Sequence, residues 1–136
     1  MLKVLVSLGS QHVLIVAAED GLDEISISAA TQVGELRDGK ITRYSITPEE
    51  FGISRREGIG MLQVANAQES LALVRKALTY EDEACADIVA LNAGAAIYAA
   101  NVASSMAQGV QRAQEILRSS AALKKLEQLA QYSESL

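Results

Sequence analysis

The tetrapeptide Arg37-Asp38-Gly39-Lys40 constrains this chain more than any other stretch. It separates two short runs that read as strands, residues 31–36 and 41–46. Asp-Gly readily supplies the positive φ angles of a two-residue turn, so these runs are predicted to pair as an antiparallel hairpin. A sheet is thereby placed in the first half of the chain. Upstream, Val13-Leu14-Ile15-Val16 is continuously apolar, and its lack of alternation suits a strand buried on both faces, as in a parallel sheet. Ile25-Ser26-Ile27-Ser28 alternates and reads as a further, half-buried strand.

Helical signals frame these strands. Residues 2–8 read as the last turns of a helix stopped by Gly9, a residue suited to a left-handed exit. In Thr47-Pro48-Glu49-Glu50, Thr47 caps, Pro48 fits the first helical position and Glu50 completes a capping box. Gly52 keeps that turn short, and residues 54–60 are expected to form an exposed loop. Beyond it, Asn66 with Glu69 caps a helix whose inward face is Leu71, Val74 and Leu78. An Ala-rich helix is predicted over residues 83–102. Ser105 with Gln108 caps another, striped by Val110, Ala113 and Leu117. Ser120 caps a last one with Leu123, Leu126 and Leu129 inward, and residues 132–136 are expected to fray. Sheet first and helices afterwards give an α/β fold: a small mixed β-sheet covered by helices, in one domain of residues 1–136.

Composition narrows the function. With no Trp and 4% aromatic residues, the core has to be built from Val, Leu, Ile and Ala. A formal charge of −5 argues against a nucleic-acid partner, which is usually met by a basic patch, and against an anionic membrane surface. The apolar span 88–103 is interrupted by Asn92 and Asn101 and is short for a membrane helix. Met1 leads into Leu2-Lys3-Val4 without the pattern of a signal peptide. The lone Cys85 cannot form an internal disulfide, which suits the cytoplasm. With no histidine near it in sequence, Cys85 reads as a small helix residue rather than a nucleophile.

The chemistry-bearing feature is Gly21-Leu22-Asp23-Glu24-Ile25-Ser26, two adjacent carboxylates just after an apolar strand. In α/β folds ligands gather at strand ends, and Mg²⁺ takes carboxylate oxygens together with substrate phosphates. A solvated acidic turn is the plainer alternative on spacing alone. Arg55 and Arg56 could touch phosphate but read as solvated loop residues. His12, the one histidine, reads as structural or exposed.

Four segments in order take the reading further. Glu19-Asp20-Gly21-Leu22-Asp23-Glu24-Ile25-Ser26 resembles the Gly-Leu-Asp-Glu signature of anthranilate phosphoribosyltransferases. Asp87-Ile88-Val89-Ala90-Leu91-Asn92-Ala93-Gly94-Ala95-Ala96 resembles that family's Asn-Ala-rich helix. Thr47-Pro48-Glu49-Glu50-Phe51-Gly52 after the hairpin, and the closing Ser120-Ala121-Ala122-Leu123-Lys124-Lys125-Leu126, are similar as well. The resemblance implies the C-terminal part of a nucleoside phosphorylase/phosphoribosyltransferase-type α/β domain. The implied reaction, a step of tryptophan biosynthesis, moves phosphoribosyl from phosphoribosyl pyrophosphate to anthranilate. It also implies Mg²⁺ on Asp23 and Glu24, and a homodimer for the whole enzyme.

Departures qualify that picture. The family's Gly-rich phosphate loop and Lys-His-Gly-Asn segment have no counterpart here, nor does its anthranilate-holding arginine; Gly58-Ile59-Gly60 is the nearest glycine cluster. Ala17-Ala18 stands where many relatives carry His-Gly. A portion lacking the N-terminal helical domain is therefore expected to hold metal ligands, to be inactive alone and to be able to self-associate. Pyrimidine nucleoside phosphorylases share the architecture but lack the Gly-Leu-Asp-Glu pair. A stand-alone, non-catalytic interaction module using the Ala-rich helix is the alternative from another class; internal packing of that helix is favoured over it.

Overall fold

The computed structural model describes residues 1–135. Helix α1 (Leu2–Ser7) leads into strands β1 (His12–Ala18), β2 (Thr31–Arg37) and β3 (Lys40–Ile46). Two single 3-10 turns, Pro48–Phe51 and Gly60–Leu62, bridge to helices α2 (Ala67–Thr79), α3 (Glu83–Ala99), α4 (Met106–Arg118) and α5 (Ala121–Glu134). The α/β class therefore stands. The sheet, however, is antiparallel throughout, in the order β1-β2-β3. Among the described residues no strands pair in parallel, so the sheet is not mixed here, and β1 pairs on one side, with β2. An unbroken apolar run does not reveal its partner's direction. Here one face of β1 packs Leu14 and Val16 on the helical core, while Ile15 lies on the side that α1 partly covers.

The hairpin forms in the expected register. Arg37 pairs with Lys40, and Asp38 and Gly39 take φ of 50° and 75°, the left-handed pair of a tight turn. Gly34 in β2 makes room for α1: a Cβ there would meet Leu2 Cδ1 at 2.8 Å. Below the sheet, Val33 and Ile46 join Ile25, Ile27, Leu91, Val110 and Leu117 in one buried cluster.

Capping fixes the helix starts. Asn66, Asp82 and Ser105 each accept the backbone N–H three residues on, from Glu69, Cys85 and Gln108. The Thr47–Glu50 capping box is also present, and Gly52 closes its turn at φ 74°. Helix α3 stops at Ala99, short of residue 102. Asn101 turns left-handed there, while Val102 donates to Ile97 O and Asn101 to Tyr98 O, which satisfies the last carbonyls. Ser120 occupies the cap position of α5 in a left-handed conformation, with no side-chain capping bond.

Three face assignments change. In α2 the inward side is Leu73, Ala77 and Leu78, whereas Leu71 and Val74 are exposed at 47% and 41%. In α5 Leu123 and Leu126 are half-buried, but Leu129 is exposed. Both helices carry more apolar residues than one neighbour covers, so periodicity alone cannot choose the stripe. Residues 132–134 continue α5 rather than fray; Leu136 lies outside the described residues.

The Ala-rich α3 is spent internally. It packs against α4 so tightly that a Cβ on Gly109 would lie 2.2 Å from Gly94 O. No helix among the described residues is long and apolar enough to cross a membrane.

Candidate functional site

The candidate turn follows β1, where the chain reverses before β2. Ala18 N–H donates to Leu22 O at 2.9 Å and Gly21 N–H to Ala18 O at 3.1 Å, folding residues 18–22 back on the strand end. Gly21 takes φ 93°, a conformation an L side chain rarely adopts. Asp23 and Glu24 follow, both exposed, and Ile25 then dives into the core at 2% exposure.

Residues 25–28 do not form a strand, contrary to their alternation. Among the described residues they have no ladder partner, and other groups bond part of their backbone. The Asn92 side chain meets both polar atoms of Ile25, accepting from its N–H at 2.9 Å and donating to its carbonyl at 3.0 Å. Thr31 Oγ1 accepts from Ser26 N–H at 3.2 Å, and Ile27 O accepts from Arg56 N–H at 2.9 Å. The alternation of apolar and polar residues survives because Ile25 and Ile27 still face the core.

Asp20 braces the near side of the turn. Its Oδ2 accepts from Ser26 Oγ at 2.5 Å and from Ser28 Oγ, and its Oδ1 accepts from Leu22 N–H at 3.3 Å. Burial opposes its charge, but these hydrogen bonds outweigh it and hold the carboxyl below the usual range. Asp20 is thus occupied as an acceptor, while the neighbouring Asp23 and Glu24 point to solvent.

Beside the turn lies a mostly apolar cleft of about 420 Å³. Glu24 sits at its margin, with Leu62, Leu73, Val74, Ile88 and Val89 among its walls. Among the described residues, no three His, Cys, Asp or Glu side chains gather as a metal cage. An adjacent carboxylate pair fits a hard cation that keeps waters and takes its other oxygens from a phosphorylated ligand. The donor set is right for Mg²⁺ and wrong for a thiolate- or imidazole-bound metal.

The remaining singled-out residues fall elsewhere. Arg55 pairs with Glu49 at 2.8 Å on the surface, as a solvated residue would. Arg56 does not stay solvated: it is partly buried and bonds Asp87 Oδ2 at 3.2 Å, with Glu83 at 3.5 Å. Tyr80 OH donates to the other Asp87 oxygen at 3.2 Å. The loop at 54–58 is thereby tied to α3, an attachment that spacing could not reveal.

His12 is structural. Its Nε2 lies 3.1 Å from Glu35 and its Nδ1 3.0 Å from Asn101 Oδ1. Glu35 also accepts from Tyr98 OH at 2.7 Å and Tyr44 OH at 2.9 Å. Burial pushes the Glu35 carboxyl up, but these bonds prevail and hold it below its ordinary value. Cys85 is buried in α3, and burial pushes its thiol up to about 11, unlike an activated nucleophile.

This fold, a three-stranded antiparallel sheet followed by four packed helices, is shared with a known group of transferases. The chain belongs to the glycosyl transferase family: the model of that family's a/b domain matches residues 1–123. Within that class it is most informatively compared with one activity. It is 54% identical over 135 residues to an anthranilate phosphoribosyltransferase of Hahella chejuensis, covering 96% of this chain and 39% of that protein. The crystal structure of anthranilate phosphoribosyltransferase from Thermus thermophilus superposes with a TM-score of 0.81 at 38% identity, over 91% of this chain and 36% of that one. The Saccharomyces cerevisiae enzyme in complex with PRPP and Mg shares the fold, with a TM-score of 0.79 at 20% identity, over 92% of this chain and 36% of that one. The chain therefore spans about two fifths of the length of the curated relatives it matches.

The site residue missed by sequence reasoning is Asn92. It had a signal, a polar residue in an otherwise apolar stretch of helix, but its partner lies 67 positions away.

Proposed function

We propose that these residues form the C-terminal portion of an anthranilate phosphoribosyltransferase. Phosphoribosyl pyrophosphate and anthranilate would be the substrates of the whole enzyme, with Asp23 and Glu24 as its Mg²⁺ ligands. The observation that carries the proposal is the exposed Asp23–Glu24 pair on an anchored turn, in a chain 54% identical to such an enzyme. Bound there, Mg²⁺ would neutralise charge on the departing pyrophosphate. The protein's own part is to present two exposed carboxylates after the strand end, whereas Asp20 is engaged by Ser26 and Ser28. Arg56, tied to Asp87, holds its own loop to α3. These residues by themselves are expected to bind metal without turnover, because the reaction also needs groups that hold the sugar phosphate and the amine. The Ala-rich helix gives no support to the interaction-module alternative, since its small residues are used against α4.

The test is Mn²⁺ titration of the ¹⁵N-labelled protein, with phosphoribosyl pyrophosphate present and absent. Paramagnetic broadening should centre on Asp23 and Glu24 and vanish in an Asp23→Asn/Glu24→Gln variant. Broadening centred on other carboxylates would overturn the assignment. Consumption of anthranilate by these residues alone, followed by its fluorescence, would overturn the expected inactivity.

A further inference from the structure

We infer that Asn92 is the positioning residue for the Asp23–Glu24 pair, acting through the backbone of Ile25. The inference rests on the reading of that pair as metal ligands. Asp23 and Glu24 are the only residues between two fixed points. On one side Leu22 O accepts from Ala18 N–H at the end of β1. On the other, Ile25 is held at both its N–H and its carbonyl by one amide, that of Asn92. The dipeptide is therefore strung between the sheet and the middle of α3, and the direction of its two side chains follows from those anchors.

The chemistry of position 92 is specific. An amide is the side chain that offers one acceptor and two donor hydrogens in a plane. Its oxygen takes the Ile25 N–H, and its nitrogen serves both Ile25 O and, at 3.0 Å, Ile88 O of its own helix. The second donation fixes the side chain against α3, so the clamp itself is held. A carboxylate there would keep the acceptor but lose both donations. Asp20, through Ser26 and Ser28, steadies the same segment from the other flank without touching Ile25.

This arrangement explains why two distant motifs occur together. The acidic turn needs a short extended exit that belongs to no sheet, and Asn92 replaces the missing ladder partner. Ligand pre-organisation of this kind governs how much order must be gained when a metal binds.

The experiment compares the parent with Asn92→Ala and with Asn92→Leu, which restores bulk without hydrogen bonds. Leu117→Ala, a core deletion in α4, reports on general destabilisation. Backbone ¹⁵N relaxation and amide exchange are measured at residues 22–26, and Mn²⁺ broadening at Asp23 and Glu24. Loss of the clamp should speed exchange of the Ile25 amide by about tenfold or more and lower the order parameters of Asp23 and Glu24. It should also weaken Mn²⁺ binding by about 10- to 100-fold. Leu117→Ala should change none of these in the folded protein. Unchanged order at residues 23–25 in both Asn92 variants would overturn the inference, and so would a loosened turn that binds Mn²⁺ as tightly as the parent. If the parent shows no broadening at Asp23 and Glu24, the metal reading fails by itself, and positioning of a metal pair by Asn92 is overturned with it. The order parameters then still report whether the clamp holds the turn, which separates the two failures.

Discussion

Replacing Gly94 by Ala should destabilise the protein even though alanine is the better helix former. A Cβ on Gly94 would lie 2.5 Å from Val110 N and 2.6 Å from Val110 Cα. Both atoms belong to the backbone of α4, so no rotamer change relieves the clash. The helices would have to part by roughly 1 Å to restore ordinary carbon contact distances. That movement loosens the packing of Ala90, Met106, Val110 and Ala113, all buried between or beside the two helices. Overpacking a tight core costs about 1–3 kcal/mol, and a backbone clash belongs at the upper end. The intrinsic gain of Gly→Ala in a helix returns about 1 kcal/mol, which leaves about 2 kcal/mol of net destabilisation. At ~2.1 cal/mol/K per residue, unfolding this chain releases ~0.29 kcal/mol/K, so Tm should fall by about 7 °C. Thermal melts followed by far-UV circular dichroism measure this directly. Gly60→Ala is the matched control, because a Cβ there meets nothing within 4 Å. A Gly94→Ala protein melting at or above the parent would refute the close-approach argument and would mean that α3 and α4 separate freely.

Two further outcomes follow from the geometry. Glu35→Gln should lower the urea midpoint at pH 7, with the gap from the parent shrinking towards pH 3. The carboxyl of Glu35 is held below its ordinary value of 4.5, so its stabilisation is complete above that pH and is lost as pH falls through the lowered value. A gap that stays constant would contradict the role given to its charge. Asn66→Ala removes the cap on Glu69 N–H and should cost about 1 kcal/mol, read as a lower urea midpoint with the slope unchanged. No change would show that the start of α2 is frayed.

Much of the fold was legible because its signals are local. The Asp38–Gly39 turn sets the β2–β3 register through two dihedral angles, and the caps at Asn66 and Ser105 act across three residues. Where the sequence misled, the deciding partner was remote. The alternating residues 25–28 look like a strand, yet among the described residues no strand pairs with them to complete a ladder. The paired arginines 55 and 56 look alike, but only Arg56 has a buried carboxylate, Asp87 of α3, within reach. The candidate site divides in the same way. Asp23 and Glu24 were singled out as candidates by the family resemblance rather than by spacing alone, whereas the Asn92 anchor needed coordinates.

By itself, then, the sequence determined the hairpin, the starts of the capped helices and a core without tryptophan, and it singled out the acidic pair as the candidate site. These depend on composition or on residues within one turn of each other, where covalent connection already limits the choices. Tertiary structure alone decided that β1 pairs antiparallel with β2, that Leu71 and Leu129 face outward and that α3 and α4 meet glycine to glycine. It also decided that Ile25 is held by Asn92. Each of these is a competition among faces or partners of similar local preference. Such a competition is settled by which arrangement buries apolar area and satisfies backbone polar groups at the same time, and that is a property of the whole chain.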